Sequence, residues 1–274
     1  MGAALEIITG RAVLSTAATA FTTAVMAAGD ALTVRNAPLD SKVFLLQTWA
    51  DFQNALTYRL RSPNLHDNVQ GLRFEVPVGE VDPLLPMGHP QRLIPQDTLI
   101  LEIDASATTS AIENVQLMLY YENLLGIDAR FITPDAVKQR TKNIVTVENT
   151  LATGTAGGYS GEEAINAEFD LLRANVEYAL LGYVVSVECA GVHWRGSDTG
   201  NLRVGGPGNN TDRHLTQNWF VELSRIYGMP LIPVFNSANR AGILLDAVQD
   251  DGGTDVVVNS IFAELMPAGA AVGR

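Results

Sequence analysis

The chain has 274 residues, 47% hydrophobic and 18% charged, with a formal net charge of −12. That is ample material for a packed core and excludes wholesale disorder; the length suits one large domain or two ordinary ones. No basic run exists to neutralise phosphates, so direct contact with nucleic acid is not expected.

Taken in order, residues 1–30 stand apart. Ala12 to Gly29 carries no charge and consists mainly of Ala, Thr and Val. A signal peptide needs a basic n-region, but Glu6 precedes this run, and a membrane span needs stronger apolar residues. The remaining reading is an N-terminal arm or strand that packs on the body or on a neighbouring subunit, and that could touch an inner membrane.

From Ala31 the text alternates as β-strands do. ALTVRNAP, KVFLLQTWAD, NALTYRLRSP, LRFEVPV, TLILEIDAS and ENVQLMLYYENL read as strands. Residues 77–97 are rich in proline, which suits a long connection and no central strand. Thr133-Pro134-Asp135 is a helix start, with Pro at the first helical position. VENTLATGTAGGYSG reads as a linker. In GEEAINAEFDLLRANVEYALLG, Ile165, Phe169, Leu172, Val176 and Ala179 or Leu180 recur at helical spacing, with Glu162 and Glu163 in the first turn and Gly182 past the end. That predicts a long amphipathic helix. LTQNWFVELSRIYG reads as a second, with Trp219, Leu223 and Ile226 on one face. MPLIPVFN, AGILLDAVQ and TDVVVNSIFAEL are the closing strands.

The two halves share letters in the same order. Leu45-Leu46 meets Leu180-Leu181, Ala55 meets Ala190, and Ser62 meets Ser197. Gly71-Leu72-Arg73 faces Asn201-Leu202-Arg203, Leu93-Ile94-Pro95 returns as Leu231-Ile232-Pro233, and Val115, Leu117 and Leu124 meet Val256, Val258 and Leu265. A period of about 135 residues is too long for a solenoid or propeller blade and is the length of a domain. The chain therefore reads as mainly β: two tandem jelly-roll or β-sandwich modules from an internal duplication, with one or two amphipathic helices. Its divisions are an N-terminal arm (1–30), a first module (31–150), a linker (151–160), a helix-led second module (161–265) and a C-terminal tail (266–274).

Catalytic signatures are missing: there is no phosphate loop, dinucleotide fingerprint, HExxH helix or CxxC pair. Gly205 to Asn210 (GGPGNN) lacks the Lys and helix of a phosphate loop and reads as a turn. His66, His89, His193 and His214 stand alone in sequence and suggest no zinc site. Cys189 lies in the apolar run YVVSVECAGV and reads as a buried, inert thiol. Glu102 and Asp104 share one strand face, as a glycosidase pair would, but equally as a wet sheet face would. Asp250, Asp251 and Asp255 on a glycine turn are a metal candidate, oxygen ligands suited to Ca²⁺, although Asp-Gly and Gly-Gly also suit a plain hairpin. No cofactor and no enzymatic activity are expected.

On these repeated strand pairs, the predicted helix and the length, the chain resembles the double jelly-roll capsid proteins of tailless, often membrane-containing, icosahedral viruses. That resemblance implies a virion location and a shell subunit assembling as a homotrimer into pseudo-hexagonal capsomers, with itself and other virion proteins as partners. Two alternatives are a head-decoration protein of a tailed phage and a carbohydrate-binding two-domain β-sandwich. Clustered aromatic residues would favour the latter, whereas Trp49, Trp194 and Trp219 are scattered.

Overall fold

Antiparallel strands build two sandwiches in this chain, seen in a computed structural model. The structure describes residues 2–14, 21–23, 25–26, 32–38, 41–51, 55–64, 71–75, 90–105, 111–124, 126–127, 129–165, 172–187, 189–208, 213–249 and 253–269. Module 1 comprises β1 (Gly2–Leu14), β2 (Phe21–Thr23), β3 (Val25–Met26), β4 (Val43–Asp51), β5 (Ala55–Arg61), β6 (Leu72–Glu75), β7 (Gln91–Leu93), β8 (Ile100–Ala105) and β9 (Ala111–Leu124). Module 2 comprises β10 (Phe131–Ile132), helix α1 (Pro134–Arg140), β11 (Thr141–Leu151), β12 (Glu163–Ala164), β13 (Glu177–Val185), β14 (Cys189–Arg195) and β15 (Val204–Gly208). It continues with α2 (Arg213–Gln217), α3 (Trp219–Tyr227), β16 (Ile232–Asn236), β17 (Leu244–Val248) and β18 (Val256–Leu265).

The strand orders repeat. Module 1 has sheets β3-β1-β9-β4-β7 and β2-β8-β5-β6, and module 2 has β10-β16-β13-β18-β11 and β12-β17-β14-β15. With β3 and β10 set aside as additions, each module has eight strands. Its first, eighth, third and sixth form one sheet; its second, seventh, fourth and fifth form the other. That is jelly-roll connectivity, two sheets of interleaved antiparallel strands. All ladders among the described strands are antiparallel, and even the irregularities match: a bulge lies between Leu45 and Gln47 in β4 and between Leu180 and Gly182 in β13. The shared pair Leu45-Leu46 and Leu180-Leu181 marks this equivalent point.

Other shared letters do not fall in register. Val43 pairs with Leu93, and Tyr178, its counterpart in β13, pairs with Phe235. Leu231 is therefore not the equivalent of Leu93, and the Leu-Ile-Pro match is one of composition.

Pairing also redraws the divisions read from composition. Gly2–Leu14 is no arm: it pairs along β9 from Gly2 to Leu14 and lies inside module 1's large sheet. Its side chains Ala4, Leu5, Ile7 and Ile8 are buried, so this stretch is not free to reach a membrane. Among the described residues no helix is long and apolar enough to cross one. Likewise β11 belongs to module 2, because it pairs with β18 from Thr141 to Leu151. The modules thus meet between β9 and β10. Residues 151–160 are not a linker but a loop of module 2, tied to it by Gly157 N–H donating to Gln249 O (2.7 Å) and Ser160 N–H to Ala247 O (2.8 Å).

The helix expected over 161–181 is not formed. Glu163–Ala164 and Glu177–Val185 are strands, and residues 166–171 lie outside the described ones. The apolar spacing of Ile165, Leu172 and Leu180 imitates a helix, but Glu177–Val185 sits between β16 and β18, and such a ladder overrides a weak local preference. The start at Thr133 behaves as expected: its Oγ1 accepts from Ala136 N–H at 3.3 Å, and α1 runs for seven residues. The second helix is split into α2 and α3. Trp219, Phe220 and Leu223 are buried while Ile226 is 41% exposed, so the apolar face is rotated from the one expected. The stretch ALTVRNAP supplies only an isolated bridge, Thr33 to Thr98, and the proline-rich residues 76–89 lie outside the described ones. Met266 of the tail is held by its N–H donating to Arg140 O at 2.8 Å.

Val204–Gly208 is a buried strand rather than a turn. Its glycines allow contact closer than any side chain permits: a methyl at Gly205 would fall on the carbonyl of Val192 in β14. Gly205→Ala is therefore expected to lose about 1–3 kcal/mol or fail to fold; urea denaturation of the variant against the parent measures this.

Candidate functional site

The strands of module 1's large sheet bury both faces. Ala4, Ile8, Leu45, Ala50, Leu117 and Leu119 line the module's own core. Leu5, Ile7, Leu46, Trp49, Met118 and Tyr120, from the same strands, instead join the continuous apolar cluster of module 2. This explains why KVFLLQTWA is apolar with no clean alternation: β4 is covered on both sides. β4 and β9 lie against β14, and β1 against β15, so the outer face of module 1's large sheet meets the small sheet of module 2. This seam is the principal site of the molecule.

Specific contacts hold its position. Trp49 Nε1–H donates to Ala190 O at 3.0 Å, and its ring meets Trp219 edge-on with centroids 6.0 Å apart. Ile7 N–H donates to Arg203 O at 2.9 Å. The Tyr227 hydroxyl at the end of α3 donates to the carbonyl of Leu46, in the β4 bulge; burial pushes this phenol up to about 12. Arg11 donates to Ala156 O at 3.3 Å, and Tyr159 OH donates to Thr9 at 3.2 Å. A Cβ at Gly191 would strike the amide of Gln116, so glycine is what lets β14 approach β9.

A buried polar network sits within the seam. His193 Nδ1 lies 3.1 Å from Asp246 Oδ1, and Nε2 lies 2.8 Å from Gln116 Oε1 of module 1. Arg203 Nε–H donates to Asp246 Oδ2 at 2.9 Å, and its guanidinium stacks 3.7 Å from the Tyr159 ring centroid. Tyr159 meets His193 edge-on. Burial pushes the Asp246 carboxyl up, but the hydrogen bond from His193 and the charges beside it win and hold it below its ordinary value. Both ring nitrogens of His193 are engaged, so no face of it is turned to a substrate.

The same pairing occurs in module 1. Arg59 is opposite Glu102 across β5 and β8, as His193 is opposite Asp246 across β14 and β17. Glu102 accepts from Arg59 at 2.5 Å and from Arg61 at 2.8 Å, and these bonds hold its carboxyl below the usual range. A carboxylate so clamped is unsuited to act as the general acid of a glycosidase pair; the side chain of Asp104 lies outside the described ones. Sequence inspection saw Glu102 on its strand but not its partners. The spacing between each acid and its base is set by sheet pairing, which has no local sequence mark.

A cleft of about 810 Å³ opens at one end of the seam, lined by both modules. Its charged groups are already matched: Glu6 accepts from Arg35 at 2.7 Å and from Tyr121 OH at 2.9 Å, Arg195 pairs with Glu162, and Arg203 with Asp246. Of the metal candidate, Asp250 and Asp251 lie outside the described residues, and Asp255 accepts from Thr153 N–H (2.9 Å) and its hydroxyl (2.8 Å), which lowers its pKa. Among the described residues no three His, Cys, Asp or Glu side chains gather as metal ligands. His66 and His89 lie outside the described residues, as does the side chain of His214. Cys189 is buried, as its surroundings in sequence imply. All three tryptophans are buried, so none presents a stacking platform for a sugar.

No protein-family model matches this chain, and no curated protein matches it. Among solved structures, the crystal structure of the PBSX exported protein XepA aligns over 94% of this chain and 86% of its own, at 13% identity and a TM-score of 0.28. A likeness at that score carries no argument about fold or role.

The network makes stability depend on pH. Because the Asp246 pKa is depressed on folding, the stability it adds is fully present above about pH 4 and drains away as pH falls through the folded value. Asp246→Asn is expected to cost about 3 kcal/mol at neutral pH, since Arg203 and His193 lose their carboxylate, and to flatten the acid limb. Urea midpoints of both proteins at neutral and acid pH measure this.

Proposed function

We propose that this chain is a virion structural protein, a self-assembling shell subunit whose copies gather as trimers. The observation that carries the proposal is the tandem pair of jelly rolls with one strand order, fused face to face. Jelly rolls serve in viral shells, lectins and cupins alike, so the fold narrows the field without deciding it. Two further features favour the shell. The tryptophans that a lectin would display are interior, and the histidine whose surroundings are described is consumed by structure rather than aimed at a metal. A unit of two locked jelly rolls is also a natural tile: three copies present six similar barrels around one axis, a pseudo-hexagon that packs a surface without gaps. Other copies and other virion proteins are the partners of such a tile, and its acidic surface suits a shell that does not grip nucleic acid directly.

Light scattering of the native protein tests this. The proposal predicts a stable particle of three times 29.4 kDa, or larger closed assemblies built from it. A monomer at high concentration that is retained on a glycan column would overturn the shell reading in favour of a carbohydrate-binding protein.

A further inference from the structure

Three arginines, Arg35, Arg195 and Arg203, line the cleft at the end of the seam against one carboxylate, Glu6, in a chain whose net charge is −12. Glu6 is already committed: it accepts from Arg35 Nε–H at 2.7 Å and from Tyr121 OH at 2.9 Å. Glu162 and Asp246, the carboxylate partners of Arg195 and Arg203, do not line the cleft. Donors from both modules therefore border one space in which acceptors are scarce. Arg195 is also under-satisfied, because its Nε–H is buried with no hydrogen-bond partner among the described residues. The backbone adds a second sign. Two of the three non-glycine residues with left-handed backbone among the described residues lie here: Gln96 (φ 64°) from module 1 and Asn201 (φ 58°) from module 2. Such a backbone is uncommon outside glycine and persists where its surroundings hold it, ligand clamps among them. Both are held: Gln96 N–H donates to Val34 O at 2.9 Å, and Asn201 N–H to Gly196 O at 2.7 Å.

We propose that this cleft binds a small organic anion, a molecule carrying a carboxylate or a phosphate on a carbon skeleton, and that the ligand clamps the two modules together. Guanidinium groups only donate, and they bind carboxylate and phosphate oxygens best. A neutral polyol would need acceptors as well, and the one carboxylate in the lining is engaged. The volume of about 810 Å³ falls in the range of sites for organic ligands, roughly 300–1,000 Å³, and is far more than a bare inorganic ion fills. Ile7, Ile8, Val34 and Leu202 in the lining suit the carbon skeleton. The clamp follows from the walls, since module 1 supplies Arg35 and Gln96 while module 2 supplies Arg195, Asn201 and Arg203. None of this depends on the shell reading, because the cleft is complete within one copy.

Calorimetric titration of the full chain with citrate and with glucose 6-phosphate tests this, at constant ionic strength and with uncharged glucose as the control. Saturable binding is expected for one or both anions and not for glucose; the anion that binds shows whether the head group is carboxylate or phosphate. Because both modules supply walls, saturating anion is expected to raise the unfolding midpoint. Arg195→Gln is expected to weaken binding about tenfold or more. It should still fold, since its pair with Glu162 is partly exposed and adds little to stability. Gln96→Gly adopts the left-handed backbone without strain, so it is expected to fold at least as well as the parent and yet to bind more weakly. A purely structural role for Gln96 would not separate the two effects. Circular dichroism confirms that each variant folds. No saturable binding of either anion, glucose binding as strongly as the anions, or both variants binding like the parent overturns the proposal. Trimers found alongside any of those outcomes would leave the shell reading standing, so the two ideas fail separately.

Discussion

The molecule depends on one large burial: the outer face of module 1's large sheet is taken out of water by module 2. An antiparallel sheet normally leaves one face wet. Here Leu5, Ile7, Leu46, Trp49, Met118 and Tyr120 would form a broad apolar patch on an isolated module 1, and a patch of that kind marks a surface in need of a partner. Removing such side chains from water contributes about 1.5–3 kcal/mol each. The glycine at 191 and the paired tryptophans follow from how closely the two sheets approach. The seam is not tuned for stability alone, since the amide groups of Gln47 and Asn114 are buried with no hydrogen-bond partner among the described residues. A buried polar group left unpaired costs about 1–3 kcal/mol.

The two modules share one strand order but use it differently at the seam. Both modules place a base and an acid across the fourth and seventh strands of the small sheet, but module 1 leaves Arg59, Arg61 and Glu102 at its periphery. Module 2 turns the equivalent His193 and Asp246 into the interface, where Gln116 completes the set. The large sheets differ in the same way. Module 1's is covered by the second sandwich. Module 2's is approached by α2, whose carbonyls at Thr216 and Gln217 occupy the space that a side chain at Gly182 would need. Equivalent sheets thus serve as an internal joint in one module and as a helix-covered face in the other.

Much of the fold was legible in the sequence, and the failures have physical causes. Strands β4, β5, β6, β8, β9, β16, β17 and β18 can be read from the sequence, as can the cap at Thr133, whereas β1, β2, β7, β11, β12, β13 and β15 fall in stretches read as arm, connection, linker, helix or turn. The shared Leu45-Leu46 and Leu180-Leu181 fall on a bulge that both modules keep. Gly2–Leu14 was misread because a strand buried on both faces and rich in small residues shows neither alternation nor strong hydropathy. Residues 161–181 were misread because Ile165, Leu172 and Leu180 fall at helical spacing by accident, and only the neighbours β16 and β18 decide against it. The seam network could not be read at all: Gln116, His193 and Asp246 lie on three strands of two modules, with Arg203 just ahead of β15, and only folding brings them together.

If a tile of two jelly rolls is to assemble, the joint between them must not open at ordinary temperature. Differential scanning calorimetry measures that directly. A seam that completes the core of module 2 predicts one unfolding transition, with calorimetric and van't Hoff enthalpies in agreement, as for a single cooperative unit. Two separated transitions, each with its own enthalpy, would show that the sandwiches are independent domains and would contradict the account.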